Sequence, residues 1–306
     1  MPTSFSAIQR EVRQSHSQRK PYLKRIQKHR GGRAVVSFFI SFEANEPLSQ
    51  KDADIIEEIC CNTDTSKGIT LILDAPGGAP LAAERIIQIC RKYSGNKGFE
   101  TVVPARAKSA ATMICLGSDR ILMSPTSELG PIDPQVPMQL YGDQWEWVGA
   151  HHVIHTYDQL MRRAVALRHG HIEPLLQQLN KFNAIHIEQL RSATELCQHI
   201  AVRSLKHGMM SATTEQEIKR RIRPFTNPKL TMSHGRALNA DQLNDCKLVI
   251  ENMELDGELW KDVWGLYMRS TFFVNTGEEG SRKLVETVER SYHSGQKSDL
   301  RNDDDS

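Results

Sequence analysis

Between residues 33 and 125 short apolar runs alternate with stretches of helical period, and that alternation narrows the chain to few folds. Residues 34–42 include Val35, Val36, Phe38, Phe39 and Ile40, the β-branched and aromatic content of a strand. Residues 49–60 follow with Ser49 placed to cap a helix and Ile55, Ile56 and Ile59 on one side. Residues 69–73 predict a short buried strand. Residues 79–93 predict a helix, with Ile86, Ile87, Ile89 and Cys90 recurring near helical spacing. A strand over 99–103, a compact helix over 109–116 and a strand over 120–123 complete the series. Strand, helix, strand at this spacing implies βαβ units, right-handed crossovers and a parallel sheet with helices on both faces.

The chain has 306 residues, about twice the ~150-residue prior for one domain. Hydrophobic residues make up 39% and charged residues 25%, with net charge +2, which suits a globular protein and argues against wholesale disorder. No apolar run approaches the ~20 residues of a membrane helix. The N-terminus lacks the apolar stretch of a secretory signal. Six cysteines without a CxxC pair offer no disulfide framework, so a reduced compartment and cytoplasmic localisation are expected.

Charge divides the chain unevenly. Residues 1–33 hold nine Lys/Arg against one acid, Glu11, and form a basic N-terminal arm. A solvated helical arm or a subunit contact is the preferred reading, because only Phe5 and Tyr22 are aromatic, too few to interleave the charge. A contact with nucleic acid or an anionic surface is the alternative. Residues 34–150 form the α/β core. Residues 151–292 are mainly helical, with 184–206 the longest helix, and are expected to complete the core and support oligomerisation. Residues 293–306 are polar, end in Asp303, Asp304 and Asp305, and are expected to be a disordered tail.

Three segments carry candidate chemistry. Asp74-Ala75-Pro76-Gly77-Gly78 follows a predicted strand and precedes a helix. Its glycines permit positive φ and close backbone approach, and open α/β sheets place ligands at such strand ends. Ser109, in Ala107-Lys108-Ser109-Ala110-Ala111-Thr112, lies between a strand and a helix of small side chains. Orphan N–H groups and positive potential there would stabilise a nearby anion. Glu128 to Gln135 holds one glycine and two prolines and reads as a rigid loop. Each alone is an ordinary turn or helix cap.

Together, a strand ending in Pro-Gly-Gly, a serine at a helix start about 30 residues later, and a Leu-Gly-Pro-Ile-Asp-Pro-Gln loop resemble the ClpP/crotonase superfold. Within it the pattern is most similar to signal peptide peptidase A-like serine proteases and the serine dehydrogenase proteinase family. The resemblance covers about residues 33–140 and extends weakly to about 249. It implies a ClpP/crotonase-like α/β fold of repeated ββα units with a largely parallel sheet, followed by a helical region. It implies peptide hydrolysis with Ser109 as nucleophile and the N–H groups of Gly77, Gly78 and Ala110 as oxyanion hole. ClpP has a histidine in the loop where this chain has Pro131 to Pro134, and no histidine occurs between Ser109 and Gly149. The signal-peptidase relatives use a lysine base. Lys108, Lys181 and Lys206 are the candidates, with Lys206 preferred; His234 is the alternative base.

No cofactor is expected. His151 and His155 are spaced to share a helical face, but no HExxH motif or carboxylate ligand accompanies them, so no metal site is expected. The expected partners are a peptide or unfolded protein substrate and further copies of the chain. Two alternatives remain: a catalytically inactive ClpP-like oligomeric scaffold, suggested by the missing histidine, and a crotonase-type acyl-CoA enzyme using the same paired amides.

Overall fold

A computed structural model describes residues 15–44, 46–141, 144–168, 170–227, 236–276 and 281–294. The elements run α1 (His16–His29), β1 (Ala34–Ile40), α2 (Gln50–Cys61), β2 (Ile69–Asp74), α3 (Pro80–Ser94), β3 (Phe99–Val103), β4 (Arg106–Ala107), α4 (Ala110–Gly117), β5 (Ile121–Met123) and β6 (Glu128–Leu129). There follow β7 (Gln135–Tyr141), β8 (Gln144–Gly149), α5 (Ala150–Ala166), α6 (Glu173–Leu179), α7 (Ala184–Lys206), α8 (Glu215–Arg221), α9 (Arg223–Thr226) and α10 (Ala240–Asp245). The chain then adds β9 (Ile250–Asn252), α11 (Glu258–Thr276), β10 (Lys283–Glu286) and β11 (Ser291–His293).

Seven strands form one sheet in the order β11-β10-β1-β2-β3-β5-β9. The run from β1 to β9 is parallel; β10 joins β1, and β11 joins β10, antiparallel. Every residue of β1 and β2 is buried, as expected of strands covered on both faces. The period of two divides their side chains. Val36, Phe38, Leu71 and Leu73 pack with Ile56, Ile86 and Ile114 in one core. Val35, Phe39 and Ile72 pack with Leu23, Ile26, Trp260 and Val263 in the other. The expected parallel sheet between helical layers is therefore what the chain forms, with helices following after the first half.

Three features depart from the expectations. The chain after Val249 returns three times to the sheet, as β9 and as the edge strands β10 and β11. These strands are short, and the edge pair is polar enough to escape notice as strands. A β7–β8 hairpin follows the Gly-Pro loop, with Trp145 and Trp147 exposed on it. The basic arm is also no solvated extension over its described part. Helix α1 buries Leu23 and Ile26 against α11 and the sheet, and several cations of this segment meet acids of the body. Arg19 pairs with Glu286, Arg25 with Asp262, and Arg30 with both Glu100 and Glu251. Each of these three arginines has a partner more than 200 residues away in sequence, and Glu100 lies 70 residues from Arg30, so these charges are used within the fold. Most of the 293–306 segment lies outside the described residues.

Candidate active site

The site forms where the ends of β2 and β3–β4 meet. Ala75 bridges Ala107 in parallel. The Ala75 N–H donates to the Arg106 carbonyl at 3.1 Å, and the Lys108 N–H donates to the Ala75 carbonyl at 3.0 Å. Gly77 follows with φ +103°, a backbone state that favours glycine. A Cβ on Gly77 would lie 2.7 Å from Ser109 Cβ, 2.7 Å from the Lys108 carbonyl oxygen and 3.0 Å from the Ala110 nitrogen. The glycine turn and the serine turn thus lie too close together to admit a side chain at Gly77.

The other flank of the turn is held by Leu48. Its N–H donates to the Gly77 carbonyl at 2.8 Å, and its carbonyl accepts from the Ala79 N–H at 2.9 Å. A Cβ on Gly78 would lie 2.3 Å from the Leu48 nitrogen. Among the described residues, the N–H groups of Gly77, Gly78 and Ala110 donate to no backbone carbonyl.

Ser109 has φ +49° and ψ −119°. Outside glycine such a conformation costs on the order of 1–3 kcal/mol and persists only where surrounding structure over-determines it. Ser109 is half-buried, and its Oγ does not cap α4. The simplest alternative, a serine present as an N-cap, therefore loses its support. The whole of α4 is buried, so the helix that fixes Ser109 is part of the core. Thr112 helps close the turn: its Oγ1 donates to the Ala107 carbonyl at 2.7 Å and accepts from the Gly130 N–H at 3.1 Å.

The third segment lies alongside. Glu128 pairs with the Lys108 ammonium at 2.7 Å. A Cβ on Gly130 would lie 2.5 Å from Lys108 Cδ, so glycine lets the lysine stem cross the loop. Leu129 and Leu238 exchange two 3.0 Å backbone bonds, which brings the chain from the C-terminal half to this loop. Asp133 is 6% exposed, and a Cβ on the facing Gly149 would lie 3.1 Å from its Oδ2.

The candidate bases are not gathered at Ser109. Lys206 ends α7 and donates from Nζ to the Ser211 and Thr213 carbonyls at 2.7 and 2.9 Å. It closes the turn after its own helix, because its long stem folds onto carbonyls left free there. Lys108 is engaged by Glu128, and Lys181 is exposed. His234 lies outside the described residues. Among the described residues no Lys or His nitrogen bonds Ser109 Oγ. The rings of His151 and His155 stack with centroids 5.7 Å apart. Among the described residues no three His, Cys, Asp or Glu groups converge as a metal site would require.

Two acids near the site were not singled out by sequence reasoning. Asp133 is, by sequence, only one residue of a rigid loop. Asp74 ends β2, is buried, and accepts the Arg106 N–H on Oδ1 at 2.8 Å. An acid closing an otherwise apolar strand was the available signal.

Residues 6–142 match the family model of the ClpP-like SDH-type serine proteinases. Two uncharacterized proteins of Methanocaldococcus jannaschii are similar in part. MJ1495 is 26% identical over 121 residues, covering 37% of this chain and 41% of the relative. MJ0137 is 39% identical over 70 residues, covering 23% and 24%. The chain thus matches less than half the length of either relative. A solved structure of a mutant of the 1510-N membrane-bound stomatin-specific protease aligns with 68% of this chain and 93% of its own, at 17% identity and a TM-score of 0.30. No helix among the described residues is long and apolar enough to cross a membrane.

Proposed function

We propose that this chain, which matches the ClpP-like SDH-type serine proteinases over residues 6–142, hydrolyses peptide bonds with Ser109 as nucleophile. The observation that carries the reading is the contact of Gly77 with the strained Ser109 turn. Ser109 Oγ attacks the scissile carbonyl. The N–H groups of Gly77 and Ala110, with Gly78 beside them, receive the charge that develops on the carbonyl oxygen. One such donor is typically worth ~2.7–4 kcal/mol in the transition state. His234 takes the serine proton. What supports His234 over Lys206 is connectivity. Leu238, four residues beyond His234, pairs with Leu129 next to the Lys108–Ser109 segment, whereas the Lys206 amine is held by carbonyls. The substrate is a peptide or an unfolded protein segment, and the working form is a homo-oligomer in a cytoplasmic compartment.

A second reading, an inactive oligomeric scaffold, is favoured by one observation: the Ser109 hydroxyl has no base bonded to it among the described residues. Loose geometry before substrate binds is common in serine hydrolases, so this does not outweigh the strained turn. The strained nucleophile turn also argues against the acyl-CoA reading, which needs the paired amides but not the serine.

Hydrolysis of an unstructured fluorogenic peptide tests the proposal. Ser109→Ala is expected to abolish turnover. His234→Ala is expected to lower kcat roughly 10²–10⁴-fold and to remove the acidic limb of the pH profile. Lys206→Ala should leave kcat within about threefold, since it removes no part of the proton path. Normal turnover by Ser109→Ala would rule the peptidase out, and normal turnover by His234→Ala would move the base elsewhere.

A further inference from the structure

The peptidase reading leaves Asp74 without a task, although it ends the strand that leads into the glycine turn. Asp74 is 2% exposed. Its Oδ1 accepts the Arg106 N–H at 2.8 Å, next to the two backbone bonds that tie Ala75 to Arg106 and Lys108. Asp74 therefore supplies the acceptor that the Arg106 amide lacks where the regular β2–β3 ladder has ended. The pinned residues lead directly into the site: Gly77 is two positions beyond Ala75, and Ser109 is the residue after Lys108. Their spacing has no slack, because a Cβ on Gly77 would already lie within 3 Å of Ser109 Cβ.

We propose that Asp74 is a positioning residue, whose carboxyl fixes the distance between the Gly77 amide and Ser109 by holding Arg106. The charged and titratable groups around it come from three elements. Arg106 of β4 supplies the bonded amide and a guanidinium, which stacks over the Phe42 ring at 3.9 Å. Glu128 of β6 adds like charge. Tyr267 of α11 faces Asp74 and Arg106, and its hydroxyl is pushed up mainly by burial, with Asp74 adding to the shift. Burial pushes the Asp74 carboxyl up to about 7, against the Arg106 amide and guanidinium, which favour its ionised form. An ionised carboxylate holds an N–H more strongly than a neutral acid does. The grip on Arg106 therefore tightens as pH rises through neutrality.

Two substitutions separate positioning from mere filling. Asp74→Asn keeps a carbonyl acceptor, and Asp74→Leu keeps the volume without one. The inference rests on the Ser109 reading only for its kinetic readout, so amide hydrogen exchange accompanies the rate of Ser109 labelling by a fluorophosphonate. The leucine variant should label roughly 10²-fold more slowly and lose protection at the Arg106 and Lys108 amides. The asparagine variant should stay within about threefold of wild type at pH 8, keep that protection, and show a smaller change in labelling rate across neutral pH than wild type, retaining only the part that the base contributes. Equal labelling and equal protection in the leucine variant would overturn the proposal. So would a change with pH in the asparagine variant identical to wild type, which also decides the matter if the leucine variant does not fold. Should wild type itself resist labelling, the peptidase reading fails and the exchange data alone judge Asp74.

Discussion

Gly77→Ala is expected to slow acylation of Ser109 by roughly 10²–10³-fold, the loss typical of removing one oxyanion donor. Two effects combine. The Gly77 φ of +103° is strained for any residue with a side chain, so the amide would turn away from its present direction. The new methyl would also lie 2.7 Å from both Ser109 Cβ and the Lys108 carbonyl, so one of the two turns must move. The same substitution at Gly78 strikes the Leu48 backbone instead and should be felt first as lost stability. The measurement is the second-order rate of fluorophosphonate labelling for each variant, alongside circular dichroism to establish that the fold is retained. A folded Gly77→Ala protein that labels at the wild-type rate would remove Gly77 from the site.

The second large effect is on stability. Arg19 of α1 is 1% exposed and Glu286 of β10 is 0% exposed, and two side-chain bonds of 2.7 Å join them. Ser291 donates a further bond to Glu286 Oε1, and Phe273 lies under the guanidinium at 4.7 Å. Glu286→Ala removes both carboxylate bonds from a buried arginine, and breaking such a buried pair costs about 3–5 kcal/mol. For a chain of this size that is a fall in melting temperature on the order of 10 °C. Replacing both partners with apolar residues, Arg19→Met with Glu286→Leu, should recover much of the loss, because the buried charge is then absent altogether. Thermal unfolding of the three proteins at one pH decides it. A single variant as stable as wild type would show that this pair does not hold the two ends of the chain together.

The legible part of this fold is the part that local chemistry decides. Strands β1 and β2 are covered on both faces, so they appear as continuous apolar runs. Gly77 and Ser109 could be singled out because a turn that needs positive φ and a serine at a helix start each leave a local trace. Strands β10 and β11 left none, since β10 depends on pairing with β1 from about 250 residues away, β11 depends on β10, and their composition is polar. The charge of residues 1–33 misled for a related reason. Arg19 and Arg30 look like solvated cations until Glu286, Glu100 and Glu251 are brought to them by the fold. Lys206 stands at a helix end, and that place gives its amine carbonyls to bind. Asp74 stands in the candidate segment but carries no local sign of its own bond, which reaches a backbone group 32 residues away.

Mass spectrometry of the protein after fluorophosphonate treatment tests the central claim most directly. The account predicts one adduct, on Ser109, that disappears in Ser109→Ala and forms much more slowly in Gly77→Ala. An adduct on another serine, or none on folded wild-type protein, would contradict it.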